Sequence, residues 1–428
     1  MNFLRLSSYF FIWMTYISFI SIYAPLGSDW QDWHAQRIIN AVQYLEFNGY
    51  FSSYGYTIWS DCVDCNLDAS FWNDKIYLST HGFSFLPYIF INHFFGLEAL
   101  INHAHLADKI SIFFTALILS EIMVIYLNRI SVPNFIIGVL VFSLFIISPW
   151  TYKMIIAGWT EIYFLLFFML SILSGIYDLK KLSIFFIFIA GLFNFVWSFA
   201  ICLFYLLIFI IPKVMKEPID NKNYFPSLST YTRGLEYFIS LCISLILFFI
   251  FRISAQNNLD NVSGSSALER IGISGLDIHN GGILGAMQFL GGNRVTKCVY
   301  SYDNSMLTSD LNIGIEAYNC ILSISSLIIL SIFAIIGLFC AALKYAQLKK
   351  IVLPLSFSFI FLMFLFQQSF SVHLQGYSYI FSILFSIGIS FYFFNFLTKS
   401  SNISLAYILA GPLYMGILIL CVRVSMLS

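Results

Sequence analysis

Long apolar runs succeed one another along the chain, broken by short polar stretches and by two long loops. A run of roughly 20 apolar residues is the length that carries a helix through the hydrocarbon of a bilayer. By that criterion the pattern predicts about eleven spans, at 5–25, 107–128, 133–149, 159–178, 182–197, 199–212, 235–252, 317–342, 351–368, 375–397 and 403–423. The stretch 182–212 is too long for one upright helix and short for two, and it is divided here. The runs are continuous, so the alternating period of a membrane β-barrel is absent. The expected class is an all-α polytopic membrane protein. It forms a single integral-membrane domain over 1–428, with long extracytoplasmic loops at 26–106 and 253–316.

The first of these loops has its own pattern. Ser28 followed by Gln31 is a capping-box signal, and Gly49 after Asn48 is a helix stop. Between them Trp30, Trp33, His34, Ile38, Val42 and Leu45 fall on one face of a helix. Asp32, Gln36, Asn40 and Gln43 fall on another. Such a helix is expected to lie at the interface with its tryptophans at headgroup depth. An aromatic loop, 50–56, and an acidic patch from Asp61 to Asp74 follow. The apolar segment Phe83–Phe95 is short for a span and is bracketed by His81, His93, His103 and His105, so a second interfacial or re-entrant helix is expected there.

Composition confirms the class. The 428 residues are 60% hydrophobic and 10% charged, where soluble domains carry roughly 25% charged residues. Lys+Arg and Asp+Glu both total 21, so net charge points to no nucleic-acid partner. A cytoplasmic N-terminus puts most Lys and Arg of the short loops inside, among them Arg129, Lys180, Lys181, Lys349 and Lys350. The run Phe10–Tyr23 is followed by Ala24-Pro25-Leu26-Gly27, a poor cleavage site, and is expected to remain as the first span. Of the charges, Glu121 is the main one to fall inside a span.

Candidate chemistry gathers where the chain leaves its first span, in Ser28-Asp29-Trp30-Gln31-Asp32-Trp33-His34-Ala35-Gln36-Arg37. A carboxylate there can take the proton from an acceptor hydroxyl as a sugar is transferred to it. The structural alternative is that Asp29 only favours the first helical turn through the macrodipole. A phosphate leaving group needs cations, and Arg37, Arg252, Arg294 and Lys297 are available, Arg294 following a Gly-Gly pair. Tyr54, Tyr56 and Trp33 offer flat faces for sugar rings or belong to the interfacial aromatic belt. His373, near Gln367 and Gln368, either lines a cavity or sits in a hydrogen-bonded turn. Cys62 and Cys65 suit a local disulfide better than zinc, which needs four ligands, and Cys298 with Cys320 is a second candidate pair. The loop histidines show no regular ligand spacing, and a divalent metal stays open.

The long first outer loop, its early Asp and the close-set spans after it resemble the GT-C superfamily of integral-membrane glycosyltransferases. Asp29, Asp32, His34 and Arg37 carry the resemblance, with Ser148-Pro149-Trp150 and Trp159-Thr160-Glu161 at the outer ends of spans three and four. Many members have an adjacent Asp-Glu or Glu-Asp pair where this chain has Asp29-Trp30-Gln31-Asp32, which leaves open which of the two is the base. The resemblance implies a polyprenyl-(di)phosphate sugar donor, a glycan, lipid or protein acceptor, and a place in a bacterial inner (plasma) membrane. It also implies that Glu161 positions the acceptor or a metal; an interfacial ion pair with Lys153 or Arg37 is the alternative. Two other functions fit less of the pattern. An O-antigen-type polymerase or ligase would hold its chief loop late in the chain. A lipid or solute transporter would show paired halves and charges within its spans.

Overall fold

A computed structural model of the chain describes residues 3–23, 29–54, 57–58, 76–77, 82–127, 133–157, 161–214, 231–259, 262–263, 322, 325–326, 329–340, 358, 381–399 and 403–426. Nearly all of these are helical. In order they form α1 (Phe3–Tyr23), α2 (Asp29–Asn48), a 3-10 turn (Gly82–Phe85), α3 (Leu86–Phe95), α4 (Leu97–Leu127), α5 (Asn134–Ile147) and α6 (Pro149–Ala157). There follow α7 (Glu161–Ile176), α8 (Lys180–Phe193), α9 (Phe195–Val214), α10 (Tyr231–Asn258), α11 (Ile329–Cys340), α12 (Phe381–Lys399) and α13 (Ile403–Met426).

Local chemistry explains the breaks. Gly49 ends α2 at φ +82°, a backbone angle that costs glycine nothing. Ser148 is extended (φ −58°, ψ 142°) because a residue before proline avoids the helical region. The Ser148 hydroxyl then accepts from the Thr151 amide at 3.2 Å and so caps α6. The predicted span 133–149 is thus helix α5, and α6 starts at its last residue and runs beyond it. Asn194 separates α8 from α9: it is extended, and its side-chain oxygen accepts from the Trp197 amide at 3.0 Å. The predicted division of 182–212 therefore exists, a few residues earlier than expected. Asp178, at φ +60°, makes the tight turn that folds α8 back along α7, and Leu179 N–H donates to the Ser174 carbonyl at 2.9 Å.

Two helices, within Phe3–Ile20 and Gly234–Asn258, are long and apolar enough to cross a membrane. Shorter apolar helices run over Asn134–Ile147, Ile162–Ile176, Trp197–Leu207, Ile329–Cys340, Ser382–Leu397 and Ala410–Val422. Their outer faces stay apolar. Ile239, Ile243, Ile246, Ile250 and Ile253 make an exposed stripe along α10, and Ile332, Ile335 and Phe339 another on α11. Bulky aliphatic side chains at helical spacing on the outside suit a lipid surround and are costly in water. Predicted spans 351–368 and the start of 317–342 fall almost wholly outside the described residues.

The two long loops meet at one end of the bundle. Three two-residue strands form a small sheet. Thr57–Ile58 pairs antiparallel with Ile76–Tyr77, which pairs in parallel with Val262–Ser263 from the second loop. Phe83 also meets Phe251 of α10 edge-on at 6.4 Å. At this end α2 rests on α3, α4, α6 and the 3-10 turn. The expected two-faced surface helix is corrected here: over 38–45 every described side chain except Gln43 is buried, Asn40 included, because neighbours cover more than one side. Phe83–Phe95 is helical as expected. Helix α4 begins ten residues before its predicted span, taking His103 and His105 into the helix.

Packing relies on close approach and internal pairing. Arg5 of α1 donates to both carboxylate oxygens of Glu121 on α4, Nε at 2.8 Å and Nη2 at 2.6 Å, and Tyr9 Oη adds a third bond at 3.2 Å. A methyl on Gly138 of α5 would stand 2.1 Å from the Tyr9 oxygen, so glycine makes room for this cluster. Helices α11 and α12 touch backbone to backbone: a methyl on Gly388 would lie 2.2 Å from the Ala334 carbonyl oxygen. Hydroxyls do similar work, with Ser148, Thr151 and Ser382 forming a buried triangle of 2.9–3.0 Å bonds between α5, α6 and α12.

Removing one partner leaves the other charge buried, so Arg5→Ala or Glu121→Gln is expected to cost about 3 kcal/mol in unfolding measured in detergent. The double replacement Arg5→Met with Glu121→Leu is expected to recover most of that loss. Gly388→Leu is expected to lower the melting temperature sharply. Gly411→Leu, where an added methyl meets nothing within 4 Å, is expected to leave it unchanged.

Candidate functional site

The residues singled out in the sequence are only partly brought into view. Asp29 is the first residue of α2, and Asp32, His34 and Arg37 follow in its first turns; Glu161 is the first residue of α7. The side chains of these five lie outside the described residues, as do Tyr56, Arg294 and His373 altogether. Tyr54 closes the turn after α2 at φ +52° and packs half-buried against the core. Arg252 on α10 is buried. His93 is exposed at the end of α3, edge-on to Phe94 at 5.1 Å. Among the described residues no three His, Cys, Asp or Glu side chains stand close enough together to hold a metal ion.

The structure adds a site that the sequence reading passed over. Asp108 lies about three turns into α4 and is completely buried. Its Oδ1 accepts from Tyr88 Oη of α3 at 2.5 Å and from Tyr163 Oη of α7 at 2.9 Å. The two phenol rings meet edge to face, with centroids 5.9 Å apart. Three helices are thereby joined through one carboxylate oxygen. Burial raises the Tyr88 hydroxyl well above the ordinary tyrosine range, and the Asp108 charge raises it further. That phenol therefore stays protonated and keeps donating.

Beside the cluster lies a cavity of about 480 Å³ between the 3-10 turn, α3, α4, α7 and α8. Phe83, Pro87, Phe167 and Leu192 supply apolar walls, and Ser111 and Tyr163 are the hydroxyl-bearing residues of the lining. A larger groove of about 670 Å³, between α1 and α13, is apolar except for Thr15 and Tyr16 and has no charged group in its lining. The smaller cavity is the one with chemistry behind its wall.

No family model, no curated protein and no solved structure matches the chain. The site therefore has to be argued from its own atoms. A carboxylate in an apolar helix is expensive unless it is paired or serves a purpose. Here phenols supply part of the solvation that water would have given, each such bond to a charged group being worth about 1.5–3 kcal/mol. Glu121, expected to be the main charge inside a span, turns out to be locked to Arg5, whereas Asp108 stands next to an open cavity. The missed signal was Asp108 itself, an acid at the start of a predicted span.

Tyr88→Phe and Tyr163→Phe are each expected to destabilise the protein by about 2 kcal/mol. In an Asp108→Asn background the same replacements are expected to cost less than half as much. A double-mutant cycle followed by thermal unfolding checks both values.

Proposed function

We propose that the chain is a membrane glycosyltransferase of about eleven spans, arranged like the GT-C enzymes. It moves a sugar from a polyprenyl-(di)phosphate donor to a glycan, lipid or protein acceptor on the extracytoplasmic face, with its N-terminus in the cytoplasm. The observation that carries this reading is the junction of the two long loops at one end of the bundle. There α2, which begins with Asp29, is seated against α3, α4 and α6. Transfer from a membrane-borne donor needs a helical cap of this kind beside the ends of the spans.

In this mechanism Asp29 or Asp32 takes the proton of the acceptor hydroxyl. The hydroxyl oxygen forms a bond to the anomeric carbon as the bond from that carbon to phosphate oxygen breaks, and the lipid phosphate leaves with the electron pair. Arg37 and Arg294 hold that phosphate, Glu161 positions the acceptor, Tyr54, Tyr56 and Trp33 stack on sugar rings, and His34 and His373 belong to the substrate-binding set. A lipid or solute transporter is the second reading, favoured by Asp108, a buried acid next to a cavity.

Asp29→Asn and Asp32→Asn, each at unchanged membrane abundance, separate the two. Transfer predicts that at least one lowers the surface glycan by about a hundredfold or more. Normal glycan from both would overturn the mechanism. The transporter reading predicts normal behaviour from both and loss of uptake or export in Asp108→Asn.

A further inference from the structure

Two thiols meet across the contact between α9 and α10. These helices pack side by side and run in opposite directions. Phe199 meets Phe249 with ring centroids 6.5 Å apart, and Tyr205 meets Tyr237 at 4.9 Å. Cys202 lies between the two α9 positions and Cys242 between the two α10 positions. The register therefore brings the cysteines level, and their side chains are in hydrogen-bonding contact. Both are free thiols. They are not equally accessible. Cys202 is buried in the core, whereas Cys242 is half-buried and stands one turn from the exposed Ile239 and Ile246 of the outward isoleucine stripe.

Acid–base chemistry has little to offer such a pair, since a lone thiolate among apolar helices is an uncompensated charge. Loss of two electrons is different, because the dithiol and the disulfide are both neutral. We propose that Cys202 and Cys242 form a reversible dithiol–disulfide pair, oxidised through Cys242 by a quinone dissolved in the bilayer. Two S–H bonds break and one S–S bond forms. Both electrons and both protons pass to the quinone, whose two carbonyl oxygens become the hydroxyls of a hydroquinone. Each proton leaves with its electron, so no charged sulfur has to be held among the helices. The oxidant has to be apolar because the thiol that it meets stands at the edge of an isoleucine stripe, and quinones are lipid-soluble oxidants of dithiols. The bond closes a loop of about 40 residues and so restrains the unfolded chain. It also pins α10, which leads to the strand Val262–Ser263 that fastens the second long loop to the first. Neither cysteine belongs to the residues proposed for sugar transfer.

The test uses the full-length protein, reduced and held in nanodiscs, with a decyl-substituted benzoquinone as oxidant. Alkylation, digestion and mass spectrometry are expected to find the Cys202 and Cys242 peptides joined and lighter by two hydrogens, with one quinone reduced for each such bond. Dithiothreitol is expected to separate them. Ferricyanide, a charged oxidant confined to water, is expected to form the bond about tenfold more slowly or worse. Oxidation is expected to raise the melting temperature by about 5 °C. Cys202→Ser and Cys242→Ser are each expected to abolish that rise, and Cys340→Ser and Cys421→Ser to leave it intact. If either of the first two does not fold, alanine takes the place of serine. Absence of the joined peptides after quinone treatment, equal rates with ferricyanide, or an unmoved melting temperature would overturn the proposal. Asp29→Asn and Asp32→Asn are expected to leave bond formation intact, which keeps this outcome separate from that of the transferase mechanism.

Discussion

A charged group among apolar helices survives only when the protein supplies what water would have supplied. This constraint governs the bundle at two places. Glu121 is met by two nitrogen donors of Arg5 and by Tyr9, tying α1 to α4. Asp108 is met by two phenols that tie α4 to α3 and α7. Helix α4 carries both acids, and it packs against α3, α5, α6 and α7. The arrangement makes α4 the post on which the first half of the chain is hung. The two acids are not equivalent. A guanidinium meets Glu121 through two bonds, whereas Asp108 takes the protons of two phenols on one oxygen.

Around this post, helices approach through small and hydroxyl-bearing residues. Gly138 admits Tyr9, Gly191 admits Ser244, and Gly337 and Gly388 let α11 and α12 meet at the backbone. Ser183 reaches both the Ser171 carbonyl and Tyr237, linking α7, α8 and α10. In an apolar surround the hydrophobic effect does little to bring helices together, so close contact and internal hydrogen bonds must do it. The large isoleucines and phenylalanines then face outward along α10 and α11.

The same economy shapes the loop end. The first loop folds as helices over the ends of α4 and α6, and a two-residue strand pairing fastens the second loop to it. A cavity of about 480 Å³ lies beside the 3-10 turn of that loop, with Ser111 and Tyr163 in its lining.

Much of the helical layout was legible in the sequence because its signals are local. Apolar run length announces a helix, Ser28 and Gly49 bracket α2, and the excess length of 182–212 foretold the break that Asn194 makes. The burial of Asn40 was not legible, since a helical wheel knows nothing of what covers its second face. Asp108 stands beside Lys109 at the start of the predicted span 107–128, and no motif in the sequence singles it out. Only the tertiary structure carried α4 back to Leu97, so that Asp108 lies inside the helix, with Tyr88 and Tyr163 closing on it from residues 20 and 55 positions away. The sequence by itself determined which segments are helical and apolar, because that depends on neighbours along the chain. Which charges are neutralised and which stand beside a cavity was decided by packing, because each depends on groups that only folding brings within hydrogen-bond reach.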